Sequence, residues 1–466
     1  MSAAQGRPDG GTAAPQVVGR QGVIAIVAST LGWSLDLFDL FILLFVAKAI
    51  APLFFPSHSE TLSLAATYAA FAVTLVMRPV GSAVFGHMAD TRGRRRAMIV
   101  AVVGVGVATA LFAVLPTYGT VGALATVLFL VLRLVQGVFV GGVVASTHTI
   151  GTESVPERFR GAMSGLIGGG GAGLGALIAS IVFFVVSSAL STADFNAFGW
   201  RIMFASGILS SVLGLLLFRV LEESPLFEQA AHAPGKPAKA PLRRLFSAEF
   251  LPVFALNLLI VAGGATEYYL TSGFLPTYLG SVKNIDPQTS ALVLAASSVI
   301  VIIAAVLGGQ LSEWIGRKRA FLVLGVITLA GVPAVNLLLE GARSLLAVTL
   351  LAMALGFLGN LAYAPVVVFL NERFPTVIRA TGTGVSWNVG FAVGGMMPTF
   401  VTLASPTVGD IPERLAVFTA VAAVVYLIGA LLSRETRGRV AAEERGEARS
   451  ASTSPTGSPL GRRSPA

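Results

Sequence analysis

Four ionisable side chains lie in the middle of long apolar stretches. Asp36 and Asp39 stand in the first stretch, Arg78 in the second and Arg133 in the fourth. If unpaired at the centre of a bilayer, each would cost on the order of 2.5–3.5 kcal/mol, and the four together roughly 10–14 kcal/mol. They must therefore pair with one another or line a wet cavity. Buried acids and bases of this kind can carry protons and bind charged solutes.

The two acids are three residues apart, which places them on one face of a helix. A carboxylate beside an arginine stays ionised, whereas a carboxylate that faces an apolar cavity can be protonated near neutral pH. We predict that Asp39 is the proton acceptor, coupled to Arg133, and that Asp36 is its partner or a second carrier. The competing interpretation is a buried ion-pair network that only holds helices together.

The two arginines have alternative roles. Arg78, directly before Pro79, could contact a substrate carboxylate, pair with Asp36 or extend to the membrane interface. Arg133 has a rival role as the planar fork that binds a substrate carboxylate. Gln136 lies one helical turn from Arg133 and is expected to share its role.

The apolar stretches that carry these residues read as membrane spans. Of the 466 residues, 55% are hydrophobic and 12% charged, about half the charged fraction of a soluble domain. A spanning helix needs roughly 20 mostly apolar residues. Twelve stretches qualify, and they are 22–50, 62–89, 97–115, 121–148, 161–188, 200–221, 250–280, 289–312, 320–339, 344–370, 379–404 and 413–433.

Lysine and arginine cluster after the even-numbered spans, which predicts that both termini face the cytoplasm. The polar stretch 222–249 separates two sets of six spans. We therefore predict an all-α membrane protein of twelve transmembrane helices in two pseudo-symmetric bundles. Its parts are a cytoplasmic N-terminal tail (1–21), a first six-helix bundle (22–221), a cytoplasmic linker (222–249), a second six-helix bundle (250–433) and a disordered cytoplasmic tail (434–466).

Several other chemistries are excluded. The chain has no cysteine and four scattered histidines, so neither thiol nor metal chemistry is expected. Its net charge of +9 lies in loops and a tail, which fits the positive-inside rule and anionic lipid rather than nucleic acid. A GxGxxG match at Gly168, Gly170 and Gly173 lies inside an apolar span, without the βαβ unit of a dinucleotide site. We expect neither a cofactor nor an enzyme.

Two sequence blocks recur in both halves. GHMADTRGRRR (86–96) matches GQLSEWIGRKR (309–319), and the Glu, Pro and Arg of 153–160 match those of 372–379. Two six-helix repeats about an axis along the membrane normal are therefore expected. Acid and base at equal spacing predict a gate latch, whose charges bridge the two halves when the cytoplasmic side is closed, with a plain topology signal as the alternative. The residues concerned are Gly86, Asp90, Gly93, Arg94, Arg95, Glu153, Arg160, Glu313, Gly316, Arg317, Glu372 and Arg379.

With these blocks the chain resembles the major facilitator superfamily over all twelve spans, although Thr91 stands where the family usually has arginine. Within it, APLFFPS (51–57), MRPVGSAVFGHMAD (77–90), RLVQGVFVGG (133–142) and FLPTYL (274–279) resemble the metabolite:proton symporters. Span one, with GWSLDLFDLFILLFV, is instead similar to the sialate and lactate symporters. Members of these families carry organic acids such as shikimate, citrate, α-ketoglutarate, lactate or sialate, or betaines and proline.

The resemblance implies that spans one, four, seven and ten line a central cavity. Polar and aromatic groups on spans seven and ten then become candidate substrate contacts, with helix-to-helix hydrogen bonding as the alternative. These residues are Glu267, Tyr268, Tyr269, Asn360 and Tyr363. We interpret Trp33 and Trp387 as packing residues rather than cavity walls.

We therefore expect a secondary active transporter that takes up a small organic acid or similar metabolite with protons by alternating access. It should be a multi-pass monomer in the lipid of a bacterial inner membrane. A proton-coupled exporter is the first alternative, but no proline occurs between 161 and 188, where antiporters of the superfamily usually carry Gly-Pro. A ligand sensor on a transporter fold is the second.

Overall fold

The computed structural model describes residues 20–92, 94–153, 157–220, 244–375 and 378–439. Most of the predicted tails and linker, namely 1–19, 221–243 and 440–466, lie outside the described residues. So does Gly93, one of the predicted latch residues. For Gly86, Asp90, Arg94, Arg95 and Glu153 the structure describes the helix but not the side-chain surroundings.

The described residues fold almost entirely into helices. Lipid offers no hydrogen-bond partners, so each spanning segment must bond its backbone internally, and a helix does so. The long helices are α1 (Arg20–Phe54), α2 (Glu60–Arg92), α3 (Arg94–Leu111), α4 (Ala123–Glu153), α5 (Arg160–Ala189), α6 (Thr192–Leu216), α7 (Leu251–Val282), α8 (Pro287–Ile315), α9 (Arg317–Gly341), α10 (Leu345–Arg373), α11 (Arg379–Leu403) and α12 (Val408–Leu432).

Ten helices in the described ranges are long and apolar enough to cross a membrane. The other two are α3, which together with the short helix after it forms only a shorter apolar stretch, Ile99–Val114, and α11, whose first half is polar. The sixth predicted span differs from the structure, since α6 already begins at Thr192 rather than at residue 200. Short helices at Phe112–Val114 and Tyr118–Val121 connect α3 to α4, and a 3-10 turn at Glu157–Phe159 precedes α5.

Wider π-helical turns interrupt three of the long helices. They lie at Leu166–Gly170 in α5, Phe195–Gly199 in α6, and Tyr269–Gly273 and Tyr278–Val282 in α7. Such turns re-aim the side chains that follow them and often occur at functional sites. The first of the two π-helical turns in α7 begins at Tyr269, one of the predicted substrate contacts.

The packing of the helices repeats after six. In the first half α1 packs on α5, α2 on α4 and α3 on α6, and in the second half α7 packs on α11, α8 on α10 and α9 on α12. The halves meet where α2 packs on α11 and where α5 packs on α8, which are equivalent pairs under the same shift. The sequence repeat is thus reflected in the tertiary contacts.

Candidate functional site

Arg78 and Asp36 form a buried ion pair between α2 and α1. Arg78 Nη2 donates to Asp36 Oδ2 at 3.3 Å, and both side chains are almost completely buried. Of the roles that the sequence left open for Arg78, the pairing with Asp36 is present in the structure. The guanidinium also lies 5.7 Å from the Trp33 ring and 5.9 Å from the Phe391 ring.

Asp39 lies one turn further along α1 and points into the first half rather than toward Arg78. Its Oδ2 accepts a 2.6 Å hydrogen bond from the Ser210 hydroxyl of α6. Thr109 of α3 packs beside it, since both residues lie against Gly207. The two acids of α1 therefore have different partners although they share one helix face.

Arg133 belongs to the same polar cluster as Asp39 but is connected to it indirectly. Arg133 Nη1 donates to Gln136 Oε1 at 2.6 Å, and Gln136 Nε2 donates to Thr109 Oγ1 at 2.7 Å. Among the described residues, no ion pair joins Arg133 to Asp39 directly. Thr109, at the other end of these hydrogen bonds, packs beside Asp39 and donates its own hydroxyl to the Val105 carbonyl at 2.9 Å.

The guanidinium of Arg133 is enclosed by aromatic rings. Its centre lies 4.3 Å from the Phe112 ring, 5.3 Å from Phe129 and 5.8 Å from Phe204. A cation over aromatic faces is stabilised by the ring quadrupole. This explains how an arginine is tolerated inside the first half.

A layer of aromatic rings fills the centre of the molecule where the halves meet. The first half contributes Trp33 and the second half the others, and the ring centroids lie 5.1–6.2 Å apart between neighbours. We call this set the aromatic layer, and its members are Trp33, Tyr268, Tyr269, Tyr363, Trp387 and Phe391. Arg78 reaches the same layer from α2.

Three of these rings belong to the predicted substrate contacts. Trp33 and Trp387, which the sequence predicted as packing residues, lie 6.1 Å apart between the halves, and Phe391 was not predicted as a site residue. An aromatic residue inside an apolar span carries no local signal of its surroundings. The layer becomes recognisable only when α1, α7, α10 and α11 are placed side by side.

The polar groups of α7 and α10 are buried next to this layer. Neither carboxylate oxygen of Glu267 has a hydrogen-bond partner within the described part of the chain, and the same is true of the hydroxyls of Tyr268, Tyr269 and Tyr363. Asn360 Nδ2 donates to Ser272 Oγ at 3.0 Å and to the Gly356 carbonyl. Asn360 therefore contributes at least partly to helix-to-helix bonding.

The described part of the predicted latch is centred on Arg317 at the start of α9. Its guanidinium donates to Glu313 at 2.7 Å and to Glu372 at 3.0 and 3.1 Å. These contacts join α8, α9 and α10 within the second half, whereas the prediction was a bridge between the halves. Gly316 adopts φ +92° in the α8–α9 turn, a conformation that favours glycine. Arg379 Nε donates to the Phe374 carbonyl at 3.4 Å.

The segment after α12 completes this cluster, which the sequence did not indicate. The Glu435 carboxylate accepts the backbone N–H groups of Arg317 at 2.9 Å and Lys318 at 3.1 Å, and so caps α9. Thr436 Oγ1 donates to Glu372 at 2.8 Å. Burial alone would raise the pKa of Glu435, but the backbone N–H bonds outweigh it and hold that pKa below its usual value. The first residues of the tail predicted from 434 are therefore attached to the second half.

The halves touch on both sides of the aromatic layer. At the end that holds the start of α5, which we call the latch end, the backbones of Gly161 and Gly309 are in direct contact, and Ser164 Oγ donates to the Ala364 carbonyl at 3.0 Å. At the opposite end, the far end, Tyr68 and Thr277 share a 2.7 Å hydroxyl hydrogen bond. The aromatic layer is thus enclosed from both directions.

Comparison with known proteins agrees with this architecture. A family model described as Major Facilitator Superfamily matches residues 37–398. The inner membrane metabolite transport protein YhjE of Escherichia coli strain K12 is 30% identical over 418 residues, which cover 88% of this chain and 94% of that protein. A putative proline/betaine transporter of Staphylococcus haemolyticus strain JCSC1435 is 29% identical over 421 residues, or 89% of this chain and 88% of that protein.

Two further similarities complete the comparison. The alpha-ketoglutarate permease of Escherichia coli strain K12 is 29% identical over 426 residues, or 90% of this chain and 95% of that protein. Among solved structures, the xylose transporter XylE from E. coli, in a partially occluded inward-open conformation, superposes with a TM-score of 0.68. The superposition covers 90% of this chain and 99% of that one at 18% identity, so it concerns the fold.

Proposed function

Because the chain belongs to the major facilitator superfamily, we propose that it takes up a small organic acid or similar metabolite together with protons, by alternating access. Membership makes it a multi-pass membrane transporter and not an enzyme, as the sequence predicted. The proton, the direction and the substrate class are the proposed parts. One observation carries the proposal: two buried acids on α1 connect a polar cluster inside the first half to the layer where the halves meet.

We place the protein in a bacterial inner membrane as a monomer with twelve spans and with the latch end toward the cytoplasm. Basic residues at the latch end support this orientation, because positive charge is retained on the cytoplasmic side. They include Arg158, Lys318 and Arg319, whereas Lys283 lies at the far end. The similarity to an inner membrane transport protein supports the same location.

In this proposal Asp39 takes up the proton. When its carboxylate is neutral, it no longer offers a negative charge to the cluster that ends at Arg133. The hydrogen bonds through Thr109 and Gln136 then rearrange, and the position of α1 against α3 and α4 changes. Because Asp36 is on the same helix, the change reaches the Arg78 pair and the aromatic layer.

Alternating access would separate the halves at one end while the other end stays closed. Closure at the latch end uses the Gly161–Gly309 contact, and closure at the far end uses Tyr68 and Thr277. Each contact joins the two halves, so opening an end breaks few interactions inside a half. The rocking of one rigid bundle against the other requires this property.

The test is uptake into proteoliposomes with an imposed proton gradient, over a panel of radiolabelled organic acids, proline and betaines. One electrical charge moved through 100 mV yields about 2.3 kcal/mol, which would support an accumulation of about 50-fold. Asp39→Asn should abolish accumulation but retain exchange of substrate across the membrane. Asp194→Asn, which alters an exposed acid near the far end, is the matched control and should accumulate normally. Uphill accumulation by Asp39→Asn would refute the role assigned to Asp39.

A further inference from the structure

Several buried polar atoms beside the aromatic layer have no hydrogen-bond partner among the described residues. They are Arg78 Nε and Nη1, Asp36 Oδ1 and the hydroxyls of Tyr268, Tyr269 and Tyr363. Buried polar groups are nearly always hydrogen-bonded, and exceptions call for an explanation. Donors and acceptors from both halves converge on one place, so a ligand that sits between the halves would complete their bonds.

The rings around these atoms are suited to a positive charge. Trp33 and Trp387 lie 6.1 Å apart in an edge-to-face arrangement, and Tyr363 lies 5.1 Å from Trp387. Aromatic faces within about 6 Å attract a cation, most strongly when water is excluded. The layer already holds one cation at that distance, because the Arg78 guanidinium lies 5.7 Å from Trp33 and 5.9 Å from Phe391.

The charge of the site argues against a ligand with two carboxylates. The buried ionisable side chains of the centre are Arg78 and Arg133 against Asp36, Asp39 and Glu267. Asp36 already compensates Arg78 at 3.3 Å, and Arg133 is enclosed by phenylalanines away from the layer. A dianion would add two negative charges beside one compensated arginine, whereas a zwitterion adds no net charge.

We infer that the aromatic layer and Arg78 form the substrate site, and that the site takes a small zwitterion with one carboxylate and an alkylated ammonium group. The carboxylate accepts hydrogen bonds from the free nitrogens of Arg78 and from the tyrosine hydroxyls. The ammonium group lies against Trp387 and Tyr363, because the Arg78 guanidinium already lies over Trp33 and Phe391. The inference rests on the proposed function, and it selects among the substrate classes that the family resemblance leaves open.

The experiment measures binding of radiolabelled glycine betaine to the purified full-length protein in detergent. The competitor is 3,3-dimethylbutanoate, which has the same shape and carboxylate but a carbon atom in place of the charged nitrogen. Betaine should bind at least about tenfold more tightly than this isostere, because only betaine gains the cation–ring interaction. A hundredfold excess of α-ketoglutarate should not displace betaine. Equal affinity for the isostere, or displacement by α-ketoglutarate, would overturn the inference.

Two tryptophan variants distinguish a role of the aromatic layer in binding from the general effect of losing a buried tryptophan. Trp387→Leu should reduce the preference for betaine over the isostere to about threefold or less. Trp200→Leu is the matched control, because Trp200 is equally buried but packs on Phe54 inside the first half, and it should keep the full preference. If both variants change the preference alike, the layer does not bind the cation.

A third variant tests the carboxylate end of the site. Arg78→Gln should weaken betaine and the isostere by the same factor, because both ligands carry the carboxylate. Loss of betaine alone in this variant would contradict the assignment.

Failure of the inferred binding site and failure of the proposed transport function give different results. Proton-driven accumulation of an organic acid without betaine binding would refute the zwitterion and leave the proposed function intact. Betaine binding without proton-driven accumulation would refute the coupling and leave the site intact.

Discussion

Variants of the Arg78–Asp36 pair can show whether the buried charges serve transport or only hold α1 to α2. At 3.3 Å and an effective dielectric constant of about 20, the two charges attract each other by about 5 kcal/mol. Much of that attraction offsets the cost of removing both groups from water, so the net value of the pair is small. Removing one partner, however, leaves a buried charge without compensation and costs about 3–5 kcal/mol.

A double-mutant cycle measures this coupling. Asp36→Asn should lower the free energy of unfolding by about 3–5 kcal/mol. Arg78→Gln should lower it less, because a lone carboxylate can take up a proton whereas a lone guanidinium keeps its charge. The double variant should lie within about 1.5 kcal/mol of wild type, since neutral groups of similar shape replace both partners. The assay is unfolding in mixed micelles, followed by tryptophan fluorescence at pH 7.

The exposed pair Arg414–Glu413, at 3.9 Å with 37% and 65% of the side chains exposed, serves as the control. Its cycle should give less than about 1 kcal/mol, as surface pairs do. Uptake then separates the two interpretations of the buried pair. The double variant should be stable and inactive, and wild-type uptake by that variant would reduce the pair to scaffolding and refute our reasoning. Single variants that lose less than about 1 kcal/mol would refute the electrostatic argument itself.

Three further outcomes are expected at the latch end. Gly309→Val places a side chain against the Gly161 backbone and should hold the latch end open. Maleimide should then label a cysteine introduced at Ser164 at least tenfold faster. Gly341→Val is the control and should not change the labelling rate, because a Cβ at Gly341 meets no atom within 4 Å. Glu435→Gln should cost about 1 kcal/mol of stability at pH 7, because it weakens the α9 cap. The pKa of Glu435 is lowered in the folded state, so the carboxylate stabilises the fold fully above its unfolded pKa of about 4.3. The difference between wild type and variant in thermal unfolding should shrink as the pH falls below that value and vanish below the lowered folded-state pKa. Arg317→Gln should lower the free energy of unfolding by about 3 kcal/mol or more, because it leaves Glu313 and Glu372 buried without their cation. An unchanged melting temperature would contradict the role of Arg317 in holding these two carboxylates.

Much of the architecture could be read from local patterns. A run of about 20 apolar residues dictates a helix in lipid whatever its neighbours are. For this reason the helices of the structure follow the predicted stretches closely, apart from the early start of α6. The recurrence of an acid, a glycine and three bases at 86–96 and 309–319 predicted two equivalent halves, and the packing pairs repeat accordingly. The same local reasoning identified Asp36, Asp39, Arg78 and Arg133, because a charge inside an apolar span is conspicuous on its own.

The partners of those charges depended on tertiary structure. Two acids and two arginines allow more than one pairing, and the choice is set by the rotation of each helix about its axis. Arg78 is 42 residues from Asp36, yet they pair, whereas Arg133 hydrogen-bonds to Gln136, and Gln136 hydrogen-bonds to Thr109, which packs beside Asp39. Small differences in packing at distant positions set these rotations, and no local pattern encodes them.

The aromatic layer and the α9 cap also could not be predicted from local sequence, although their residues are uncharged or lie beyond the last span. Trp387 and Phe391 look like ordinary apolar residues of one span, and Glu435 looks like an ordinary charge beyond the last span. Their roles depend on the groups that they contact. Trp387 contacts Trp33 of the other half, and Glu435 accepts a hydrogen bond from a backbone N–H group at the start of α9. The sequence by itself determined which segments are apolar enough to enter a membrane and which charges lie within them, because both depend on the chemistry of single segments. Only the tertiary structure decided which side chains face one another across the two halves, because that depends on how all the helices pack at once.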